Sequence, residues 1–425
     1  MQYHALSLLE HGYRVTILGY CGEDLIPQLT VHNENRPLLT VKRMSPPPVP
    51  KIVSSISPLR LLFRLISLIW VLVGSLFSVK NPAADVVLVQ NPPPVPLLFL
   101  AWLYCKLHRA AFIIDWHNLG FTMFELQPWH PITVVVRLYE RLMAPLSDVN
   151  FCVSSAMSNW LKANFGIRCR VLRDRPPDFF HATSIADRHE LMLRLMPCFA
   201  SASERLDIDL YRGVDEVREC TVCTLKRRGK VELREDRPKI IVSSTSWTPD
   251  EDFAVLLEAL ILLEEKLNTH GKKDQCPPKV LVVITGKGPQ KAYYESKMSK
   301  LTMRNVHVMT IWLEAGDYPK FLGCADLGIS LHTSTSGIDL PMKVLDFYGG
   351  ELPVCARNFE CLDELVQHGS NGMIFESCNE LADQMFDLLV DEKMYLKLKE
   401  GVRGMIRWRE NWVHCAADII QSTSS

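Results

Sequence analysis

Several clusters of polar residues stand just after short apolar runs, and their types suit the binding of an anion. The densest is LHTSTSGIDLPMKVLDFYGGELP, from Leu331 to Pro353. His332 to Gly337 forms a hydroxyl-rich loop, with Ser336 and Gly337 at its end, that opens a helix near Pro341. A helix N-terminus offers unsatisfied N–H groups and a partial positive charge, which suits a diphosphate. Lys343 falls in the first helical turn, where a cation is better tolerated with an anion beside it, and Asp346 is placed to reach ribose hydroxyls. Asp339 reads as a helix N-cap or as part of the same binding loop. Ser243 to Ser246 supply four successive hydroxyls at the end of another apolar run, and Ser244, Thr245 and Ser246 suit phosphate oxygens. Thr248, Pro249 and Glu251 then read as cap, first position and third position of a helix. Thr285-Gly286-Lys287-Gly288-Pro289 adds two glycines that let backbone N–H groups approach an anion, with the charge of Lys287 beside them. Trp312 is open between core packing and stacking on a planar base.

Acid–base chemistry is suggested elsewhere. In Ile114-Asp-Trp-His-Asn118, a carboxylate, an imidazole and an amide cluster at one strand end, where they are poor core material. Asp115 and His117 suit proton transfer to or from a hydroxyl. Glu140 is a second carboxylate candidate, and His4 belongs near the same place if a strand and loop precede it. No Asp-x-Asp stands at a strand end to hold a metal. Cys220 and Cys223 form the one CxxC, without a second pair to complete a zinc site. No metal ligand set and no required cofactor are expected.

These residues need strands to carry them, and the alternation of apolar runs with helical stretches supplies them. Strands are expected near Arg14–Leu18, Leu38–Val41, Asp85–Gln90, Ala111–Asp115, Asn150–Val153 and Cys169–Leu172. A second set is expected near Lys239–Ser244, Val280–Thr285, Val306–Met309, Leu327–Leu331, Pro353–Ala356 and Gly372–Phe375. Continuous apolar strands spaced by helices signify parallel sheets covered on both faces. The fold class is therefore α/β, with two doubly wound Rossmann-like domains and ligands expected in a cleft between them. The boundaries expected are residues 1–180 for an acceptor-side domain, 181–236 for a charged, mobile insertion after a helix at Asp187–Met196, and 237–425 for a nucleotide-binding domain.

A length of 425 residues agrees with two domains. Lys+Arg of 47 against Asp+Glu of 48 excludes the basic excess of a nucleic-acid binder. Thirteen scattered cysteines point to a reducing compartment rather than a disulfide framework. Leu65 to Val79 is uncharged, flanked by Arg60, Arg64 and Lys80, and too short for an ordinary spanning helix. It reads as a buried helix or an element resting at a membrane surface, as does Pro92 to Leu107.

Gln90-Asn-Pro-Pro93, Ile114 to Asn118, Ser243 to Thr248, Ile284 to Pro289, Trp312-Leu-Glu314, Asp317-Tyr-Pro319, Ala325 to Gly328 and Leu331 to Val344 together resemble one family. It is that of the dolichol-pathway β-1,4-mannosyltransferases, the chitobiosyldiphosphodolichol β-mannosyltransferases. The resemblance implies a GT-B fold, GDP-mannose as donor and a dolichyl-diphosphate-linked disaccharide as acceptor. It also implies inversion at the anomeric carbon, at the cytosolic face of the endoplasmic reticulum membrane, with other mannosyltransferases as partners. Asp115, His117 and Glu140 become candidates for the base, and Lys287, Lys343 and helix N-termini for the leaving-group charge, with any assistance from Mg2+ left open. Members of the family begin with an anchoring helix, a strand and a glycine loop ahead of the piece that matches Met1-Gln2-Tyr3-His4. This sequence starts at that last piece, which reads as an incomplete sequence or as a short form, and the short form is the alternative of an inactive binding subunit. A third option, an α-glycosyltransferase of the same architecture, is disfavoured by Ile114 to Asn118. Asp339 and Asp346, seven apart, depart from the two glutamates eight apart of the wider retaining enzymes.

Overall fold

The computed structural model describes the chain except residues 23, 36, 46–56, 79–82, 125, 209–216, 249–250, 272–276, 335 and 424–425. Pro249, Thr335 and Lys80, which figure in the expectations above, therefore lie outside the described residues. The chain forms two compact units, one of Met1–Arg173 with Trp408–Ser425, the other of Asp174–Arg407.

In the first unit, β1 (Val15–Tyr20) and β2 (Leu39–Met44) pair in parallel as a two-stranded sheet. A four-stranded parallel sheet follows in chain order: β3 (Val86–Asn91), β4 (Ala111–Trp116), β5 (Val149–Cys152) and β6 (Arg170–Val171). Phe112, Ile113, Ile114 and Trp116 are all buried, so β4 is covered on both faces, which is why its sequence runs apolar without alternating. The helix Ser155–Phe165 starts where Ser154 Oγ accepts the Met157 N–H at 3.0 Å, and it stops at Gly166, in the left-handed region at φ 74°.

The end of the chain returns to this unit. Trp408, Trp412, Ala416 and Ile420 recur every four residues, so they share one helical face, and they pack with Ile113, Phe151 and Leu172. The expected domain of 237–425 thus loses its last helical segment, because that apolar stripe fits the first sheet.

In the second unit, β7 (Val217–Cys220), β8 (Thr224–Arg227) and β9 (Lys230–Leu233) form an antiparallel sheet. Then come β10 (Lys239–Ser244), β11 (Val280–Thr285), β12 (Val306–Ile311), β13 (Leu327–Ser330), β14 (Val354–Arg357) and β15 (Gly372–Phe375). These six are parallel, in the order β12-β11-β10-β13-β14-β15, a doubly wound sheet whose order reverses between β10 and β13. Ile240, Val242, Leu281 and Val283 belong to one core, while Ile241, Val280, Val282 and Ile284 belong to the other. Each such buried side chain contributes about 1.5–3 kcal/mol.

Three expectations change. The segment 181–236 is not a bare insertion: a helix at Ile185–Arg205 runs well beyond Met196 and buries Leu191, Met192, Phe199 and Ala202 beside Val222 and Cys223. The helix expected from Thr248 begins at Phe253, with the Ala254 N–H bonded to Asp252 Oδ1 at 3.1 Å. Pro92 to Leu107 is largely core, since Leu98, Leu100, Ala101, Tyr104 and Cys105 of the helix Leu97–His108 are buried. Among the described residues no helix is long and apolar enough to cross a membrane.

Candidate active site

The expected residues fall into two clusters, one in each unit. In the first unit β4 ends at Trp116 and delivers Asp115 and His117 together. The Asp115 carboxylate is buried, and its Oδ2 lies 2.7 Å from His117 Nε2 and 3.2 Å from His4 Nε2. Burial pushes the Asp115 pKa upward, but the pairing with His117 and the hydrogen bonds from both imidazoles win, and hold it far below the usual carboxylate range. Trp412 Nε1–H donates to His4 Nδ1 at 3.1 Å. An Nδ1 that accepts carries no proton, so neutral His4 holds its proton on Nε2 and donates it to Asp115. His117 is part-exposed. The cluster is thus an imidazole backed by a buried, ionised carboxylate whose other contact is fixed from the end of the chain.

Glu140 does not join that pair. It is buried, and its Oε1 accepts from Asn91 Nδ2 at 2.7 Å and from the Gly120 N–H at 2.8 Å. Its pKa is raised by burial, against those hydrogen bonds. The Asn91 carbonyl accepts the His117 N–H at 2.9 Å. Glu140 therefore holds the loop that carries His117, and its own carboxylate is too enclosed for proton transfer with a substrate. Asn91, within the Gln90-Asn-Pro-Pro93 motif, is the link between them.

In the second unit, the carboxyl ends of β10 and β13 flank the switch point of the sheet, where open α/β sheets bind ligands. Four hydroxyls were expected here to meet phosphate. Three are turned inward: Ser243 Oγ donates to the Ile329 carbonyl at 3.1 Å, Ser244 Oγ bonds Tyr318 Oη at 3.0 Å, and Thr245 Oγ1 donates to Glu251. Ser246 alone of the four is exposed. Glu251, expected only as a helix-start residue, is buried and organises the loop. Its carboxylate also accepts the Ser246 N–H at 2.9 Å and pairs with Lys343. These partners hold Glu251 out of the helix, which explains the late helix start. Glu251 is also an anion beside Lys343, of the kind that its place in the first turn called for.

The two glycines serve packing. A Cβ at Gly286, where φ is 139°, would overlap the Thr245 carbonyl oxygen, and one at Gly288 would overlap that of Ser246. Lys287 extends from this loop, its Nζ 3.7 Å from the centre of the Trp312 ring. Trp312 is half-exposed, so core packing is excluded, and one face of its indole carries a cation.

After β13, Asp339 is not an N-cap: the helix Met342–Gly349 follows Pro341 and has no side-chain cap. Asp339 Oδ1 instead accepts from Ser334 Oγ and, at 3.1 Å, from Ser336 Oγ, while the Gly337 N–H donates to Ser334 Oγ at 2.7 Å. The loop is thereby shaped around Asp339, and Gly337 sits at φ 76°. Asp346 Oδ2 accepts from Tyr318 Oη at 3.2 Å, which joins it to Ser244. Burial pushes its pKa up to about 7, against the Tyr318 hydrogen bond and the charge of Lys343. From sequence, Glu251 has only a place at a helix start and Tyr318 only a place in the Asp317-Tyr-Pro319 motif, and Trp412 is not singled out. Glu251 follows a hydroxyl run, which is a usable signal; Trp412, 408 residues from His4, carries none. Among the described residues no group of three or more His, Cys, Asp or Glu is placed to hold a metal.

Comparison with known proteins agrees with this layout. Residues 226–405 match Glycosyl transferases group 1, and residues 1–182 match Glycosyltransferase Family 4. The chain is 39% identical to UDP-glycosyltransferase TURAN of Arabidopsis thaliana, over 100% of this chain and 95% of that protein. It is 37% identical to chitobiosyldiphosphodolichol beta-mannosyltransferase of Mus musculus, over 99% of this chain and 86% of that one. Anabaena HepE, solved in complex with UDP and glucose, superposes with a TM-score of 0.59 at 14% identity, over 100% and 96% of the two chains. The fold is GT-B.

Proposed function

The chain belongs to the chitobiosyldiphosphodolichol β-mannosyltransferase family, and from that membership we propose the reaction, the substrates and the residue roles that follow. The protein is a glycosyltransferase. It transfers mannose from GDP-mannose to dolichyl-diphosphate-di-N-acetylglucosamine, forming a β-1,4 linkage with inversion at the cytosolic face of the endoplasmic reticulum membrane. The observation that carries the mechanism is the part-exposed His117 backed by buried Asp115.

In this reading His117 takes the proton from the acceptor's 4-hydroxyl, and Asp115 stabilises the imidazolium that forms. The acceptor oxygen forms its bond to the mannose anomeric carbon as the bond to the diphosphate oxygen breaks on the opposite face. The bonding pair leaves with GDP. Lys343 and the uncapped helix N-terminus at Met342 meet the charge on the departing diphosphate. Asp346 accepts from the ribose hydroxyls, and Trp312 offers its ring to the base.

The Arabidopsis relative is named a UDP-glycosyltransferase, which supports a second reading with a UDP-sugar. Offering the protein labelled GDP-mannose and labelled UDP-glucose, each with the lipid-linked disaccharide, separates the two. Label moving to lipid from GDP-mannose alone is the expected result. Transfer from the uridine donor alone would replace the donor assignment. Binding of GDP-mannose without transfer would support the binding-subunit alternative instead.

A further inference from the structure

The helix Pro131–Met143 is built inside out. Its buried side chains are Thr133, Val136, Glu140 and Met143, two of them polar or charged. Its eight exposed positions are 131, 132, 134, 135, 137, 138, 141 and 142, and six of these are Pro, Ile, Val or Leu. A surface helix ordinarily shows the reverse, with its apolar stripe toward the core and polar residues toward water. Val135 and Leu142 are each 63% exposed and Leu138 53%, and Trp129 just before the helix is 75% exposed. The patch continues onto the neighbouring helix Leu97–His108, where exposed Phe99 is tied by its N–H to Tyr139 Oη at 2.9 Å.

The two remaining exposed positions are Arg137 and Arg141. From Leu126 to Ser147 the chain carries these two arginines and one carboxylate, Glu140, which is buried. The outward face is thus apolar and basic, without an acidic side chain. Pairing of this face with itself in a second copy would set arginines against arginines with no carboxylate to meet them. A layer of anionic headgroups over acyl chains meets both features: the apolar side chains enter the boundary, and the arginine stems lie along it while their heads reach phosphate.

We propose that the outer face of Pro131–Met143, with Trp129, docks this protein onto an anionic lipid bilayer. This deepens the reading of a lipid-linked acceptor, yet it rests on the surface chemistry of this helix and is tested without any acceptor. The full chain is floated with phosphatidylcholine vesicles, with and without phosphatidylserine. Flotation with the anionic vesicles is expected, with about tenfold weaker partition for Val135→Glu/Leu138→Glu. Arg141→Glu, a milder change, is expected to remove part of the salt-sensitive binding. Circular dichroism and transfer to a water-soluble disaccharide-diphosphate acceptor are expected to stay unchanged in the double variant, so that loss of docking is distinct from loss of catalysis. Wild-type protein that ignores anionic vesicles would overturn the proposal. So would a folded double variant that floats like wild type, or a dimer in solution that the same substitutions dissociate.

Discussion

Asp115 is buried at a strand end and Asp346 is part-buried in a helix, and their surroundings drive the two carboxylates in opposite directions. Asp115 has two imidazoles and stays ionised; Asp346 has a tyrosine hydroxyl, a more distant lysine charge and a pKa of about 7. The first arrangement suits a partner for a base, so His117→Ala should lower kcat by about 10^2–10^4 while leaving GDP affinity unchanged, as calorimetry would report. The second makes a pH prediction. A folded pKa near 7 stands above the ordinary 3.8, so the folded chain holds this proton more tightly than the unfolded chain. The carboxylate therefore costs stability as pH rises from 3.8 through 7, and costs none below 3.8. Asp346→Asn should raise stability by up to ~4 kcal/mol at alkaline pH and change little in acid, measured by urea unfolding. GDP affinity should rise through pH 7 in the wild type, as the carboxylate ionises to accept ribose hydroxyls, and stay flat and weaker in Asp346→Asn.

Loops and helix ends are where the sequence was least legible. Every strand of the three parallel sheets was readable, most plainly where burial on both faces leaves an uninterrupted apolar run such as Val280–Ile284. The antiparallel strands β7 to β9 were not, because charged residues such as Glu219, Lys226 and Arg227 interrupt them. The glycines of the 285–289 loop were marked for backbone approach to an anion; the approach that the structure describes is to the Thr245 and Ser246 carbonyls. Gly286→Ala should therefore destabilise the fold by about 3 kcal/mol, since a Cβ meets backbone at a positive φ. Reversible urea unfolding would measure it. The contribution of Trp412 to the base was invisible because it joins opposite ends of the chain. Trp412→Phe removes one neutral hydrogen bond of about 1 kcal/mol, so turnover should fall about fivefold with a displaced pH–rate profile. An unchanged profile would reduce Trp412 to packing.

Across the whole molecule, composition and element order were enough for a two-unit α/β chain, and the motif set was enough for the family. Charge balance turned attention away from nucleic acid, and the exposed apolar face of the helix Pro131–Met143 was overlooked because Glu140 and Thr133 lie inside it while Val135, Leu138 and Leu142 lie outside. The reaction proposed for the whole molecule is inverting transfer of mannose, with His117 as the base. The anomeric configuration of the product made from GDP-mannose and the lipid-linked disaccharide tests it most directly, read by NMR of the released trisaccharide and by cleavage with a β-mannosidase. A β-1,4-linked mannose whose formation collapses in His117→Ala is the expected result. An α-linked mannose, or a β-linked product made at the wild-type rate by His117→Ala, would contradict it.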